Sequence, residues 1–277
     1  MSSAFYVPDG DAFVSTELTR GPWDPGSQHA GPPAALMGRA IERLSSEAGP
    51  SVVGRITYDV LRRVPIAPLR VSTRVVRPGR SVELIEATLH DESHRALMRA
   101  EAWRLRAEEV EVDAGLTAAG GDGAAGAFAS TLRPGFAPPG PEEGRTVPFF
   151  DTGESAGYFT AMDVRFVAGA FLEPGPATVW LRMCEPLVAG EEPSALQRVL
   201  VAADSGNGVS ATLDFTRFLF INVDLSVHLH RLPASEWVCL DAITIPEPNG
   251  VGITDIALYD ERGPIGRAAQ TLLVAER

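Results

Sequence analysis

The chain of 277 residues contains no lysine, and its 24 basic residues are all arginine. They are outnumbered by 36 acidic residues, giving a formal net charge of −12. A field of that sign repels phosphate, so general binding to nucleic acid or to an anionic membrane surface is disfavoured. Cysteine is scarce: Cys184 and Cys239 are the only two. That excludes a small disulfide scaffold, and their spacing matches no metal or redox motif. No apolar run is long enough to cross a bilayer. The start, "MSSAFYVPDGDAF", has neither a basic n-region nor an apolar h-region. A cytoplasmic protein without membrane insertion is expected. No Gly-x-Ser-x-Gly elbow occurs, which disfavours an α/β-hydrolase serine mechanism.

What is present is an ordinary globular composition, 45% hydrophobic and 22% charged, long enough for two domains of modest size. Residues 107–148 change character. They are rich in Ala, Gly and Pro, lack sustained periodicity, and read as a linker or long loop. The flanking segments, 1–106 and 149–277, resemble each other. "LRRVP" and "LHRLP" place Arg63 and Arg231 168 residues apart (231 − 63), and Pro65 and Pro233 likewise. Arg99 and Arg267 share that offset, and Asp91 and Asp260 differ by 169. Four matches in order at a near-constant offset indicate a duplicated domain.

Each half reads as a strand, a helix and then a run of strands. "PAALMGRAIERLSSEAG" and "SALQRVLVAADSGNG" are the helix candidates. "INVDLSVHLH" alternates strictly, with Ile221, Val223, Leu225, Val227 and Leu229 opposite Asn222, Asp224, Ser226, His228 and His230; this is a half-buried strand. One helix against an antiparallel sheet in each half predicts an α+β layer architecture.

The stretch "RVLVAADSGNGVSATLDF" admits two readings. As a strand and turn, Gly206-x-Gly208-x-x-Ala211 cradles a nucleotide phosphate, with Asp224 in the place of a ribose-binding acid. That reading lacks βαβ units after Asp224, and the first half has no glycine fingerprint at the equivalent place. As a helix, Leu196, Leu200, Asp204 and Gly208 share one face. Asp204 then interrupts an apolar stripe, which is costly unless the carboxylate is paired or used. Alternatively the helix ends at Ala203 and Asp204 lies in a solvent-facing final turn. In "GRAAQTLLVAE", Gln270 lies in the apolar phase with Ala268 and Leu272. It is either a core amide satisfied by backbone or a partner for Asp204 across the layer.

With these residues in place, the chain resembles the type II acyl-CoA thioesterases of the double-hotdog superfamily. The resemblance rests on "HAGPPAALMGRAIE", "AADSGNG", "VDLSVHLHR", "EWVCLDA", "ALYDERG" and "AAQTLLV" in family order. It implies two tandem hotdog domains, each a long helix on an antiparallel sheet, and hydrolysis of a fatty acyl-CoA without a cofactor or metal. The family's site is an Asp on the second helix, a Ser or Thr on the following strand and a Gln on the last. Here those positions are Asp204, Asn222 and Gln270, with Asn222 departing from the hydroxyl pattern. Asn222 also sits in the polar phase of its strand, opposite in kind to Gln270, and a bulge is one way to reconcile them. A non-catalytic acyl-CoA or lipid binder on the same scaffold is the alternative. A hotdog hydratase would carry His five residues after the Asp, where Val209 stands. His228 and His230 read as surface histidines rather than a metal pair. His29 reads as either a residue at a helix start near the substrate or a polar loop residue. A monomer and a homodimer are both compatible with duplication.

Overall fold

The computed structural model describes residues 3–46, 49–111, 136–149 and 152–277. Most of the expected linker, residues 112–135, lies outside the described residues. The first half contains the hairpin β1 (Tyr6–Asp9) and β2 (Ala12–Ser15), helix α1 (Gly31–Arg43), and strands β3 (Ser51–Val60), β4 (Pro68–Arg77), β5 (Val82–His90) and β6 (Ala96–Arg106). The second contains β7 (Met162–Ala170), β8 (Glu173–Met183), helices α2 (Ala195–Ala203) and α3 (Gly206–Val209), and strands β9 (Phe218–Asn222), β10 (Asp224–Leu229), β11 (Val238–Pro246), β12 (Val251–Asp260) and β13 (Gly263–Glu276).

The strands form one antiparallel sheet, in the order β1-β2-β4-β5-β6-β3-β10-β13-β12-β11-β8-β7, with β9 also paired to β13. Read outward from its centre the order is the same on both sides, as a duplication requires. The halves join where β3 meets β10; there Thr57 faces Ser226 and the two hydroxyls bond at 3.1 Å. The antiparallel sheet and the helical reading of residues 195–203 remove the context a dinucleotide site needs.

The helices lie side by side on the inner face and run antiparallel. Gly31, at the start of α1, abuts the Val201 carbonyl near the end of α2, while Glu42 near the end of α1 bonds Ser194 at the start of α2 (2.7 Å). Only glycine permits this approach. A Cβ on Gly31 would sit 2.4 Å from the Val201 oxygen, and one on Gly38 would sit 2.3 Å from Leu200. Ser194 caps α2 by accepting the Gln197 N–H. Arg104, buried beneath the end of α1, donates to the Ile41 and Leu44 carbonyls and pairs with buried Glu83 at 2.8 Å.

Two long helices were expected. α1 has 13 residues but α2 only 9, stopping at Ala203. The Val201 carbonyl is taken by the Tyr158 hydroxyl at 2.7 Å, and the Ser205 N–H turns to Ala202 instead. Two weak helix formers, Gly206 and Gly208, follow and confine α3 to a single turn.

The alternation of "INVDLSVHLH" also breaks. Register against β13 shifts between Asn222, opposite Leu272, and Ser226, opposite Ala269. The extra residue at Val223 flips the phase: Val223 is 46% exposed, Phe220 is buried, and Asn222 turns to the inner face. Among the described residues no helix is long and apolar enough to cross a membrane.

Candidate active site

Four segments converge at the broken end of α2. Asp204, its C-cap, is buried. Its Oδ1 accepts a hydrogen bond from Asn222 Nδ2 at 2.9 Å, donated from the end of β9, and a longer one from Gln270 Nε2 at 3.3 Å. Gln270 comes from the middle of β13 and also donates to the Asp204 backbone carbonyl at 3.1 Å. Its Oε1 accepts the Asn207 N–H at 3.1 Å, which fixes which end of the amide faces the carboxyl. The three residues singled out in the sequence therefore form one contact set. The end of α2 at Ala203 does not leave Asp204 in a solvent-facing turn, and Gln270 is the carboxyl's partner.

His29, open to two readings in the sequence, lies at the carboxyl. Its ring is buried, stacks on Tyr158 (centroids 3.8 Å apart, planes 5° apart), and its Nδ1 lies 3.1 Å from Asp204 Oδ2. The Gly31 N–H points at the same nitrogen from 3.1 Å. A ring accepting that N–H leaves the proton of the Asp204 contact on the carboxyl. A ring protonated at Nδ1 donates it to Asp204. Either arrangement holds one proton between the two groups. Tyr158, which the sequence did not single out, also bonds Ser205 at 2.9 Å and so braces the break from below.

Burial dominates the electrostatics. It pushes the Asp204 carboxyl up to about 7, against the downward pull of the Asn222 and Gln270 amides and the Ala30 and Gly31 backbone N–H groups. Burial likewise holds His29 down at about 3, a neutral imidazole at working pH. Pro32 and Pro33 occupy the next positions of α1 and carry no N–H. Ala30 and Gly31 are therefore the backbone donors that the start of α1 directs at this point.

Asp204 and Asn222 open onto a cavity of ≈ 270 Å³. Trp23, Phe149, Phe159, Phe215, Leu219 and Ile221 supply apolar wall, and Arg62 and Arg63 stand at its edge. The first half lines it from two segments, around His29 and around Arg62, and the second from Phe149, Phe159 and the stretch around Asp204 and Asn222. The site is thus built between the halves. His228 and His230 are elsewhere, on and just beyond β10. Among the described residues no group of three or more His, Cys, Asp or Glu side chains is placed to hold a metal ion.

An antiparallel sheet with a helix laid on it in each half, and a buried acid between the helices, defines the class, a hotdog-type protein. The chain belongs to the acyl-CoA thioesterase family: its N-terminal domain matches residues 19–105 and its C-terminal domain residues 141–274. That makes it a member of a family of thioester hydrolases. Solved structures show the same fold. A protein assigned as a thioesterase II in Thermobifida fusca superposes with TM-score 0.71 at 17% identity, over 98% of this chain and 95% of that one. A hot dog fold protein of unknown function from Alicyclobacillus acidocaldarius gives 0.67 at 14%, over 98% and 95%. An acyl-CoA thioesterase II from Mycobacterium marinum gives 0.65 at 14%, over 97% and 94%. No curated protein matches the chain by sequence.

Proposed function

We propose that the protein hydrolyses a fatty acyl-CoA to the free acid and CoA at Asp204, in cytoplasmic lipid metabolism. The supporting observation is a buried carboxyl on an apolar cavity, held by two amides on one side and by the start of α1 on the other. Asp204 is the general base. It takes a proton from water as the water oxygen bonds to the thioester carbon, and it returns that proton to the sulfur when the C–S bond breaks. Its raised pKa suits both transfers near neutral pH. Asn222 and Gln270 hold carboxyl and water in line. The developing oxyanion is met by backbone N–H donors. In this reading the chain is two tandem hotdog domains, 1–106 and 149–277, bridged by 107–148. Release of free thiol from acyl-CoAs of increasing chain length tests it, and absence of hydrolysis at every length overturns it.

One observation favours a second reading. Asn222 donates directly to Asp204 Oδ1 at 2.9 Å, occupying an oxygen that a base needs for water. A non-catalytic acyl-CoA binder would show affinity without turnover, unchanged by Asp204→Ala.

A further inference from the structure

The duplication supplies an internal control for one pair of side chains. Arg63 and Arg231 are equivalent by repeat, as are Asp91 and Asp260. In the second half the pair is closed. Arg231 makes a two-pronged contact with Asp260, at 2.6 and 2.5 Å, and donates to the Pro264 and Gly263 carbonyls. The Asp260 side chain is wholly buried. In the first half the same pair is not made. Asp91 instead accepts from Arg95 and from the turn amides of Ser93 and Arg95. Arg63 is left 79% exposed at the edge of the active-site cavity, and among the described residues its carboxylate contact is Asp24 at 3.6 Å. Beside it Arg62 also lines the cavity, and among the described residues no carboxylate lies within 4.0 Å of its guanidinium.

The segment that carries them is held firmly. The Leu61 and Arg62 N–H groups both donate to the Leu97 carbonyl at 3.0 Å. Gln28 donates its backbone N–H to Val64 (2.8 Å) and its side-chain amide to Pro65 (2.7 Å). Gln28 adjoins His29, so the backbone that carries the two arginines is held beside the carboxyl. A chain with net charge −12 therefore presents two adjacent cations at the cavity edge, one of them released from the partner its twin keeps.

We infer that Arg62 and Arg63 form a phosphate-binding rim that takes the nucleotide end of a CoA thioester while the acyl group enters the apolar cavity. The inference rests on the thioesterase reading above. Guanidinium groups match phosphate oxygens with paired N–H donors, and the long-range field of the rest of the molecule makes a local cationic edge the place for such an anion to dock. Asp24 contacts Arg63 on this edge, and phosphate would displace it.

The test compares an acyl-CoA with the matching acyl-pantetheine, which has the same thioester and no phosphates. Arg62→Gln combined with Arg63→Gln should lower the ratio of kcat/KM for acyl-CoA over acyl-pantetheine by roughly tenfold (about 1.4 kcal/mol), mostly through KM. Raising salt should lower the wild-type ratio and barely move that of the double variant. Arg231→Gln is the control: it should lower the melting temperature and leave the ratio where it was. An unchanged ratio in the double variant, or equal loss on both substrates, overturns the phosphate rim while leaving hydrolysis standing. Failure of the wild type to hydrolyse either substrate overturns both the rim and the thioesterase reading.

Discussion

Both halves end their helix beside a buried ionisable side chain, of opposite sign. Under the last turn of α1 lies Arg104, donating to the Ile41 and Leu44 carbonyls and balanced by Glu83. A cation at a helix C-terminus agrees with the helix dipole and satisfies its free carbonyls. At the end of α2 stands Asp204, an anion where the dipole disfavours one. Its compensation comes first from the Asn222 and Gln270 amides of its own half, and then from the other half, through the N–H groups of Ala30 and Gly31 at the start of antiparallel α1. The buried charge at the end of α1 is balanced within the first half, whereas the one at the end of α2 draws on both halves.

The most direct way to break this comparison is to remove the misplaced charge. Asp204→Asn keeps the shape and should reduce kcat/KM by roughly 10²–10⁴-fold, the usual worth of a general base. A fully active variant would show that the second half's anomaly is structural. Replacing the first half's charge tests the converse. Arg104→Ala strands Glu83 and the end of α1, and should cost about 3–5 kcal/mol in denaturant unfolding. Turnover per folded molecule should stay near wild type; a loss of turnover at full folding would mean the first half's pair also serves the site.

The apolar twin of Asp204 gives a somewhat smaller effect. Counting by the repeat offset of 168 reaches Leu36, whereas counting from the helix starts, Gly31 and Ala195, reaches Ala40. Neither carries charge. The other two site positions are equally plain. Thr254 opposite Gln270 corresponds to Ile85 opposite Ala102, so Ala102 is the twin of the glutamine. The bulge at Val223 answers the register shift at Gly54 in β3, which makes Val53 the twin of Asn222. Leu36 is fully buried, and Leu36→Ala should cost about 2–5 kcal/mol with turnover retained. Titration should find one acyl ligand bound per chain; two equivalent sites would end the asymmetry.

The antiparallel strands were legible in the sequence through local periodicity and the duplication through its repeat offsets, while Asp204 and Gln270 each stayed open between two readings until the family resemblance joined them. The inward turn of Asn222 was not. Strict alternation assigned Val223 to the core, and one extra residue reversed it, a change periodicity alone cannot register. The break in α2 was hidden for a different reason. A hydroxyl from Tyr158, more than forty positions away, captures a helix carbonyl. His29 was ambiguous because a lone histidine before two prolines carries no local sign of what it will face. Its neighbour Gly31, which lets the two helices close, was the available clue, and only in combination with the pairing of the halves.

The smallest expected effect joins stability to mechanism. Asp204 ionises near 7 in the folded chain against 3.8 as its ordinary value. The groups facing it are His29, neutral with its own pKa near 3, the hydroxyl of Tyr158, held well above its usual range by burial, and the two amides. Below the unfolded value both states hold the proton, and the carboxyl contributes its full stability. Between that value and about 7 the unfolded chain releases a proton that the folded chain keeps. Stability from this group therefore falls as pH rises, and it levels off above 7. Asn carries no such proton. The melting temperature of Asp204→Asn should thus match or exceed wild type, and by more at pH 8 than at pH 5, a difference on the order of 1–3 kcal/mol. The wild-type kcat/KM should climb over the same interval as the base form appears, with its midpoint near 7. A stability difference that ignores pH, or that grows toward acid, would mean that Asp204 enters the folded state already charged and compensated. The charge at the end of α2 would then be as fully balanced as the one at the end of α1.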